Sequence, residues 1–194
     1  VAVAEPRPEG FRCGHVAIVG RPSVGKSTLM NALVGEKISI TSKKPQTTRH
    51  RIIGIATSAT AQCIYVDTPG FQTRHRSRLN DRLNKTVRES LSGVDVAVLV
   101  LDATRIVAAD REVAALLPAD MPVIAAVNKV DLLSDKGALL PRMGEIAQMR
   151  AFAAIVPISA EKGTQLRELQ AEIDARLPVS TPLYPADELT DRDE

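Results

Sequence analysis

Two glycines, a lysine and hydroxyls stand at fixed spacing in GRPSVGKST, residues 20–28, directly after the apolar run Val16–Val19. Gly20, Gly25, Lys26 and Ser27 fit the pattern G-x-x-x-x-G-K-[ST], and Leu29 and Leu33 begin a helical pattern behind them. Glycines let backbone N–H groups turn inward around phosphate oxygens, and a following helix presents its positive end to them. Lys26 adds a mobile charge for the outer phosphates, and the Ser27 hydroxyl is a hard ligand for Mg²⁺. The loop formed by Gly20, Arg21, Pro22, Ser23, Val24, Gly25, Lys26, Ser27 and Thr28 therefore reads as a phosphate cradle.

A second stretch addresses the base. Asn128, Lys129, Val130 and Asp131 close the apolar run Val123–Val127. A carboxylate such as Asp131 accepts two parallel hydrogen bonds from the N1–H and the exocyclic amino group of guanine. Adenine offers no such pair of donors and would leave the carboxylate desolvated and unpaired. Asn128 can bridge to the other edge of the base, and the Lys129 stem can cover its face. Ser159, Ala160 and Glu161 follow the last apolar run, where the Ala160 N–H can meet the guanine oxygen. Downstream of a phosphate cradle, these residues specify a guanine nucleotide, GTP or GDP.

A third stretch, Asp67, Thr68, Pro69, Gly70 and then Phe71, follows Cys63–Val66. Asp67 is placed to hold Mg²⁺ through water, and the Gly70 N–H can reach a γ-phosphate. Between cradle and carboxylate lies KKPQTTRHR, residues 43–51, where Thr47 or Thr48 can give the metal another hydroxyl. His15, His50 and His75 have no Cys/His ligand spacing around them, so a separate metal site is not expected.

The elements that must position these residues follow from periodicity. Short buried strands are expected at Val16–Val19, Ile52–Ala56, Cys63–Val66, Val94–Leu101, Val123–Val127 and Ala154–Ile158. Amphipathic helices are expected around Leu79, Leu83, Val87 and Leu91, and around Leu166, Leu169, Ile173 and Leu177. Strands alternating with helices predict an α/β fold, a doubly wound and mostly parallel sheet of six strands with helices on both faces. Ile52–Ala56 and Cys63–Val66 are joined by a short polar link, which makes the first of them the one antiparallel strand. Residues 1–13 read as a tail, 14–180 as the nucleotide domain, and 181–194 as an outgoing linker.

Composition bounds the rest. The 194 residues are 44% hydrophobic and carry a net charge of +2, so bulk charge does not announce a nucleic-acid partner. Two cysteines are too few for a disulfide framework, and Cys63 is expected to be a small core residue. No apolar run is long enough to cross a membrane, and the N-terminus carries prolines and charges in place of an apolar leader. A cytoplasmic domain is the resulting expectation. Basic clusters at Lys43, Lys44, Arg49, His50 and Arg51, and at Arg74, His75, Arg76, Arg78 and Arg82, could face RNA.

The order of these motifs resembles the translation-factor-like GTPases, and within them the Era type. KISITSKKPQTTRHRIIGI, IYVDTPGFQ, AVNKVDLL and IVPISAEKG carry the resemblance, which spans about residues 14 to 183. It implies a Ras-like P-loop NTPase fold and GTP hydrolysis with Mg²⁺ held by Ser27, Thr48 and Asp67. Thr48 is preferred to Thr47 because related T-T-R motifs use their second threonine. Lys26, Thr48 and Gly70 would then act on the reacting phosphate. The resemblance also implies a switch in small ribosomal subunit assembly and 16S rRNA maturation, with rRNA bound mainly by a KH domain beyond residue 194. A monomeric domain is expected, in a protein that is cytoplasmic or peripheral at the inner membrane.

Two positions depart from related patterns. Phe71 stands where Ras-type enzymes place a water-orienting glutamine, which predicts slow intrinsic turnover raised by a partner. Ser23 stands where many similar proteins carry an asparagine that helps hold K⁺, so potassium activation is left open.

Overall fold

The computed structural model describes residues 9–34, 51–68, 85 and 88–184. Its strands are β1 (Arg12–Val19), β2 (Ile52–Thr57), β3 (Ala61–Val66), β4 (Val96–Asp102), β5 (Val123–Asn128) and β6 (Ala154–Pro157). They form one six-stranded sheet in the order β2-β3-β1-β4-β5-β6. The β2–β3 pair is antiparallel and the other pairings are parallel, as the short polar link between the first two requires. Around the sheet lie α1 (Lys26–Val34), α2 (Ala108–Leu116), α3 (Leu139–Ala147) and α4 (Leu166–Asp174).

Period-two alternation along β4 explains why helices must cover both faces. Ala97, Leu99 and Leu101 join one core with Ala114 of α2 and Ile146 of α3. Val96, Val98 and Val100 join the other with Leu29 of α1 and Leu169 and Ile173 of α4. A strand buried on alternate sides reads as a continuous apolar run, which is how VAVLVLD reads. Burying one Leu or Ile side chain stabilises by about 1.5–3 kcal/mol. Cys63 and Cys13 are both buried free thiols, and burial together with the Asp174 carboxylate pushes the Cys63 thiol up, away from reactivity. Among the described residues no helix is long and apolar enough to cross a membrane.

The first strand opens at Arg12, four residues before the apolar run that announces it. Phe11 and Cys13 are buried, so the expected N-terminal tail gives up its last residues to the sheet. The cause lies far along the chain. β4 pairs with β1 only from Val16, and the edge before it is taken by the segment after α4. Cys13 N donates to Pro178 O at 3.1 Å and Ser180 N to Phe11 O at 2.9 Å.

The same segment is held at its end by Gln62 of β3, whose side chain is wholly buried. Its Oε1 accepts from the N–H groups of Leu183 and Tyr184 at 3.0 and 3.1 Å, and its Nε2 donates to Tyr184 O at 2.8 Å. Residues 181–184 are thus strapped to the domain, where the sequence alone suggests an outgoing linker. Gln62→Ala should lower unfolding free energy by roughly 1–3 kcal/mol, since several backbone groups lose their partner at once. Urea denaturation measures the loss, and limited proteolysis should show faster cleavage after Leu183.

Candidate guanine-nucleotide site

β1, β3, β4 and β5 all end at one edge of the sheet, and the loops that leave them meet there. Register does this: Ala17 lies opposite Val66, Val19 opposite Leu99, and Asp102 opposite Asn128. The cradle leaves β1, Asp67 leaves β3, Lys129 leaves β5 and Ser159 follows β6. Ligand sites of open α/β sheets lie at such carboxyl ends.

The cradle is tight enough to exclude side chains at its glycines. Gly25 has φ +102°, and a Cβ there would sit 2.4 Å from Asn128 Nδ2. A Cβ on Gly20 would meet Val100 O at 2.7 Å. Gly25→Ala should therefore destabilise by about 2–4 kcal/mol, combining positive-φ strain with the clash, as read by urea unfolding.

Lys26 opens α1 and lies half-buried, its ammonium donating to Gly20 O and, at 3.0 Å, to Arg21 O. Desolvation holds its pKa below the ordinary lysine range. With Ser27, Asp67 and Thr68 it lines a cavity of about 250 Å³, walled by Ile18, Val19, Met30, Asn31, Ile53 and Val66. Hydroxyl and carboxylate at one cavity are the hard oxygen donors that Mg²⁺ prefers. No group of three or more His, Cys, Asp or Glu residues gathers into a metal cage among the described residues. Thr48, Pro69, Gly70, Phe71 and the basic clusters other than exposed Arg51 lie outside the described residues.

At the base end, Asn128 is the joint. It is 3% exposed, its Nδ2 donates to Val24 O at 2.9 Å, and its Oδ1 accepts from Ala160 N at 2.9 Å. One amide thereby ties cradle, β5 loop and β6 loop together. The Ala160 N–H, expected from the sequence to meet the guanine oxygen, is donated here to Asn128 Oδ1 instead, and the Asn128 side chain faces the loops on both sides. Asp131 follows on the 3₁₀ turn Val130–Leu132 and is exposed at the surface. Ser159 is buried, its backbone bridges to Thr164, and its Oγ accepts from Lys162 N at 3.1 Å, which shapes the turn carrying Ala160 and Glu161.

Lys129 and Ser23 both adopt left-handed backbone, φ 68° and 70°, and they meet. Lys129 Nζ donates to Ser23 O at 2.7 Å and pairs with Asp102 Oδ2 at 3.3 Å. Ser23 thus acts here through its carbonyl, as the stop against which the Lys129 side chain is stretched. Strain of this kind collects at functional sites. Asp102 is fixed in turn by Thr104, whose N–H and hydroxyl donate to Oδ1 at 2.9 and 2.6 Å. Burial alone would raise the Asp102 carboxyl, but the Thr104 hydrogen bonds and Lys129 outweigh it and hold the pKa low. Sequence reading missed Asp102. A D-x-T turn directly after a strand was the available signal.

Arg21 is where the structure departs most from expectation. Its guanidinium turns away from the cavity, bonding Asp110 and Arg105 O. Its backbone carbonyl holds Lys26.

The chain is similar to known proteins. GTPase Era of Chromobacterium violaceum is 55% identical over 184 residues, 95% of this chain and 62% of that protein. GTPase Era of Neisseria meningitidis serogroup A is 53% identical over 190 residues, 97% of this chain and 62% of that protein. The chain thus spans about 62% of the length of these curated relatives. A crystal structure of Era in complex with MgGDPNP and nucleotides 1506–1542 of 16S ribosomal RNA matches with TM-score 0.72 and 38% identity, over 94% of this chain and 63% of that one. An Aquifex aeolicus Era variant bound to GDP·AlF4⁻ matches with TM-score 0.73 and 39% identity, over the same shares. The family model described as 50S ribosome-binding GTPase covers residues 15–129, from within the cradle strand to the lysine of the base motif, and the chain belongs to that family.

Proposed function

We propose that this chain binds GTP and GDP and hydrolyses GTP with Mg²⁺, as a switch in small ribosomal subunit assembly and 16S rRNA maturation. The observation that supports it best is the Asn128 joint, which ties a phosphate cradle to a base-reading loop in one buried network. The solved Era relative bound to MgGDPNP and 16S rRNA supports both the nucleotide and the RNA.

Water attacks the γ-phosphorus in line, and the bond to the β–γ bridging oxygen breaks. Negative charge moves onto the β-phosphate, where Lys26 and the cradle N–H groups stabilise it. Mg²⁺, when bound, neutralises the phosphate oxygens, and Ser27, Thr48 and Asp67 would hold it. Gly70 N–H would meet the γ-phosphate. With Phe71 in place of a glutamine, the chain has no glutamine there to orient water, so turnover is slow until a partner raises it. The protein works in the cytoplasm, and the isolated domain is a monomer.

Single-turnover GTP hydrolysis, with and without small ribosomal subunits, tests this reading. Acceleration by the subunits is expected. Binding of GTP with no hydrolysis under either condition would leave a docking module. The same assay in potassium and sodium chloride tests K⁺ at Ser23. Faster hydrolysis in potassium would assign the ion to this loop, and equal rates would leave the loop without one.

A further inference from the structure

The start of α2 holds a carboxylate with no place in nucleotide chemistry. Asp110 lies in the first turn of α2, its side chain wholly inaccessible to solvent. Its Oδ1 and Oδ2 lie 3.0 and 3.2 Å from Arg21 Nε, and Oδ2 also accepts from Val107 N at 2.8 Å. The Arg21 guanidinium is completed by Arg105 O, 3.0 Å from Nη2. The two partners are 89 residues apart in sequence.

We infer that Asp110 is a positioning residue for the phosphate cradle, acting through Arg21 on Lys26. Arg21 follows Gly20 directly, and its carbonyl is one of the two that hold the Lys26 ammonium. Gly20 has no side chain to pack and Pro22 donates no N–H, so this part of the loop lacks anchors of its own. The side chain of Arg21 supplies it by fastening the loop to the N-terminus of α2. Val107 N–H and Arg105 O bind the same pair, so the carboxylate and the guanidinium are each located by the β4–α2 loop.

Stability alone does not explain the pair. Buried ion pairs are often matched or exceeded in stability by apolar residues of similar volume. Here the ion pair sits where an apolar pair could not, between a helix N-terminus that needs an acceptor and a loop carbonyl that needs a donor. The same loop begins with Asp102, which holds Lys129 at the base end. Residues 102–110 therefore brace the nucleotide site at both ends, and Asp110 serves the phosphate end.

The inference rests on the guanine-nucleotide reading, and release of methylanthraniloyl-GDP from the whole chain tests both. Arg21→Gln, Asp110→Asn and the double variant are compared with the unaltered chain. Asp110→Asn keeps an acceptor for Val107 N–H, which protects the fold. Each single variant should speed release about tenfold, and the double variant no more than the faster single, because the two residues act as one unit. Arg21→Lys, which keeps charge without the fork, should fall between. The GDP-to-IDP affinity ratio should stay constant, since the base end is untouched.

Melting midpoints lowered with release rates within about twofold of the parent would show a purely structural pair and overturn the inference. Rates that multiply in the double variant would show independent roles and also overturn it. Should Asp110→Asn not fold, Arg21→Gln alone reads the same release rate and decides the matter. An unaltered chain that binds no GDP would remove the guanine reading itself, and this inference with it.

Discussion

Lys26→Met should abolish measurable GTP hydrolysis while leaving the protein as stable as before, or more so. Two terms set the functional loss. A charge-assisted hydrogen bond to a phosphate contributes about 1.5–3 kcal/mol to binding. A preorganised donor aimed at charge developing in the transition state contributes about 2.7–4 kcal/mol, which is a ~10²–10³-fold fall in rate. The stability side has the opposite sign. Burial removes water from the Lys26 ammonium and lowers its pKa, so the folded chain without nucleotide carries the charge at a penalty. Methionine keeps the stem and its packing and removes that penalty, which offsets the loss of the donations to Gly20 O and Arg21 O. Linkage fixes the pH dependence. Between the lowered folded pKa and the ordinary lysine value the unfolded chain binds more protons, so wild-type stability rises with pH there. The advantage of the methionine variant should thus be full at neutral pH and shrink through the alkaline range. Adding GDP should reverse the order at neutral pH, because only the lysine gains an anion. Urea unfolding with and without GDP measures both signs. A methionine variant that retains hydrolysis would show that the cradle works without its lysine.

Much of the site was legible because its chemistry is local. Gly20, Gly25, Lys26 and Ser27 lie within eight residues, and the constraint that selects them, backbone folded around phosphate, acts within the same turn. Asn128 through Asp131 were legible for the same reason. The sheet was legible because strands buried on both faces leave unbroken apolar runs, as Val123–Val127 shows. The antiparallel β2–β3 pair was legible because its connection is too short for a crossover.

What sequence could not show are contacts between distant segments. Arg21 looked like a nucleotide contact because of its neighbours, yet its side chain answers to Asp110 in another element. Gln62 lies just outside the expected run Cys63–Val66, and it is buried because a segment 122 residues away needs its amide. The start of β1 at Arg12 depends on that same segment. Two helices also escaped the periodicity reading. α3, LLPRMGEIA, contains a proline and a glycine, and its proline falls in the first turn where the missing N–H has no intrahelical partner to lose. α2, AADREVAAL, spreads its apolar face over small alanines and is fixed by Asp110 at its start. In both cases tertiary contacts decide what local propensity leaves weak.

Asp131→Asn should move the base preference from guanine to xanthine. The carboxylate is an acceptor at both oxygens and so matches a base edge with two donors, the N1–H and the 2-amino group of guanine. An asparagine presents one acceptor and one donor. Xanthine carries an oxygen where guanine carries the amino group, so its edge offers one donor and one acceptor and meets the amide correctly. Facing guanine, the amide NH₂ would point at another NH₂, losing one hydrogen bond and leaving two donors opposed. Sites built to bond a specific polar group discriminate by about 10⁴–10⁵-fold against analogues lacking it, and a single mismatched bond should cost GDP at least ~10²-fold in affinity. Asp131 lies on an exposed 3₁₀ turn, with no core packing to disturb, so the variant should fold and melt with the parent. The Asn128 joint remains intact, which keeps the cradle in place and lets the phosphates of either nucleotide bind as before. Competition of GDP, IDP and xanthosine diphosphate against a fluorescent nucleotide gives the result directly. The parent should rank GDP above IDP and XDP, and the variant should rank XDP first. If both rank GDP first, Asp131 does not read the base.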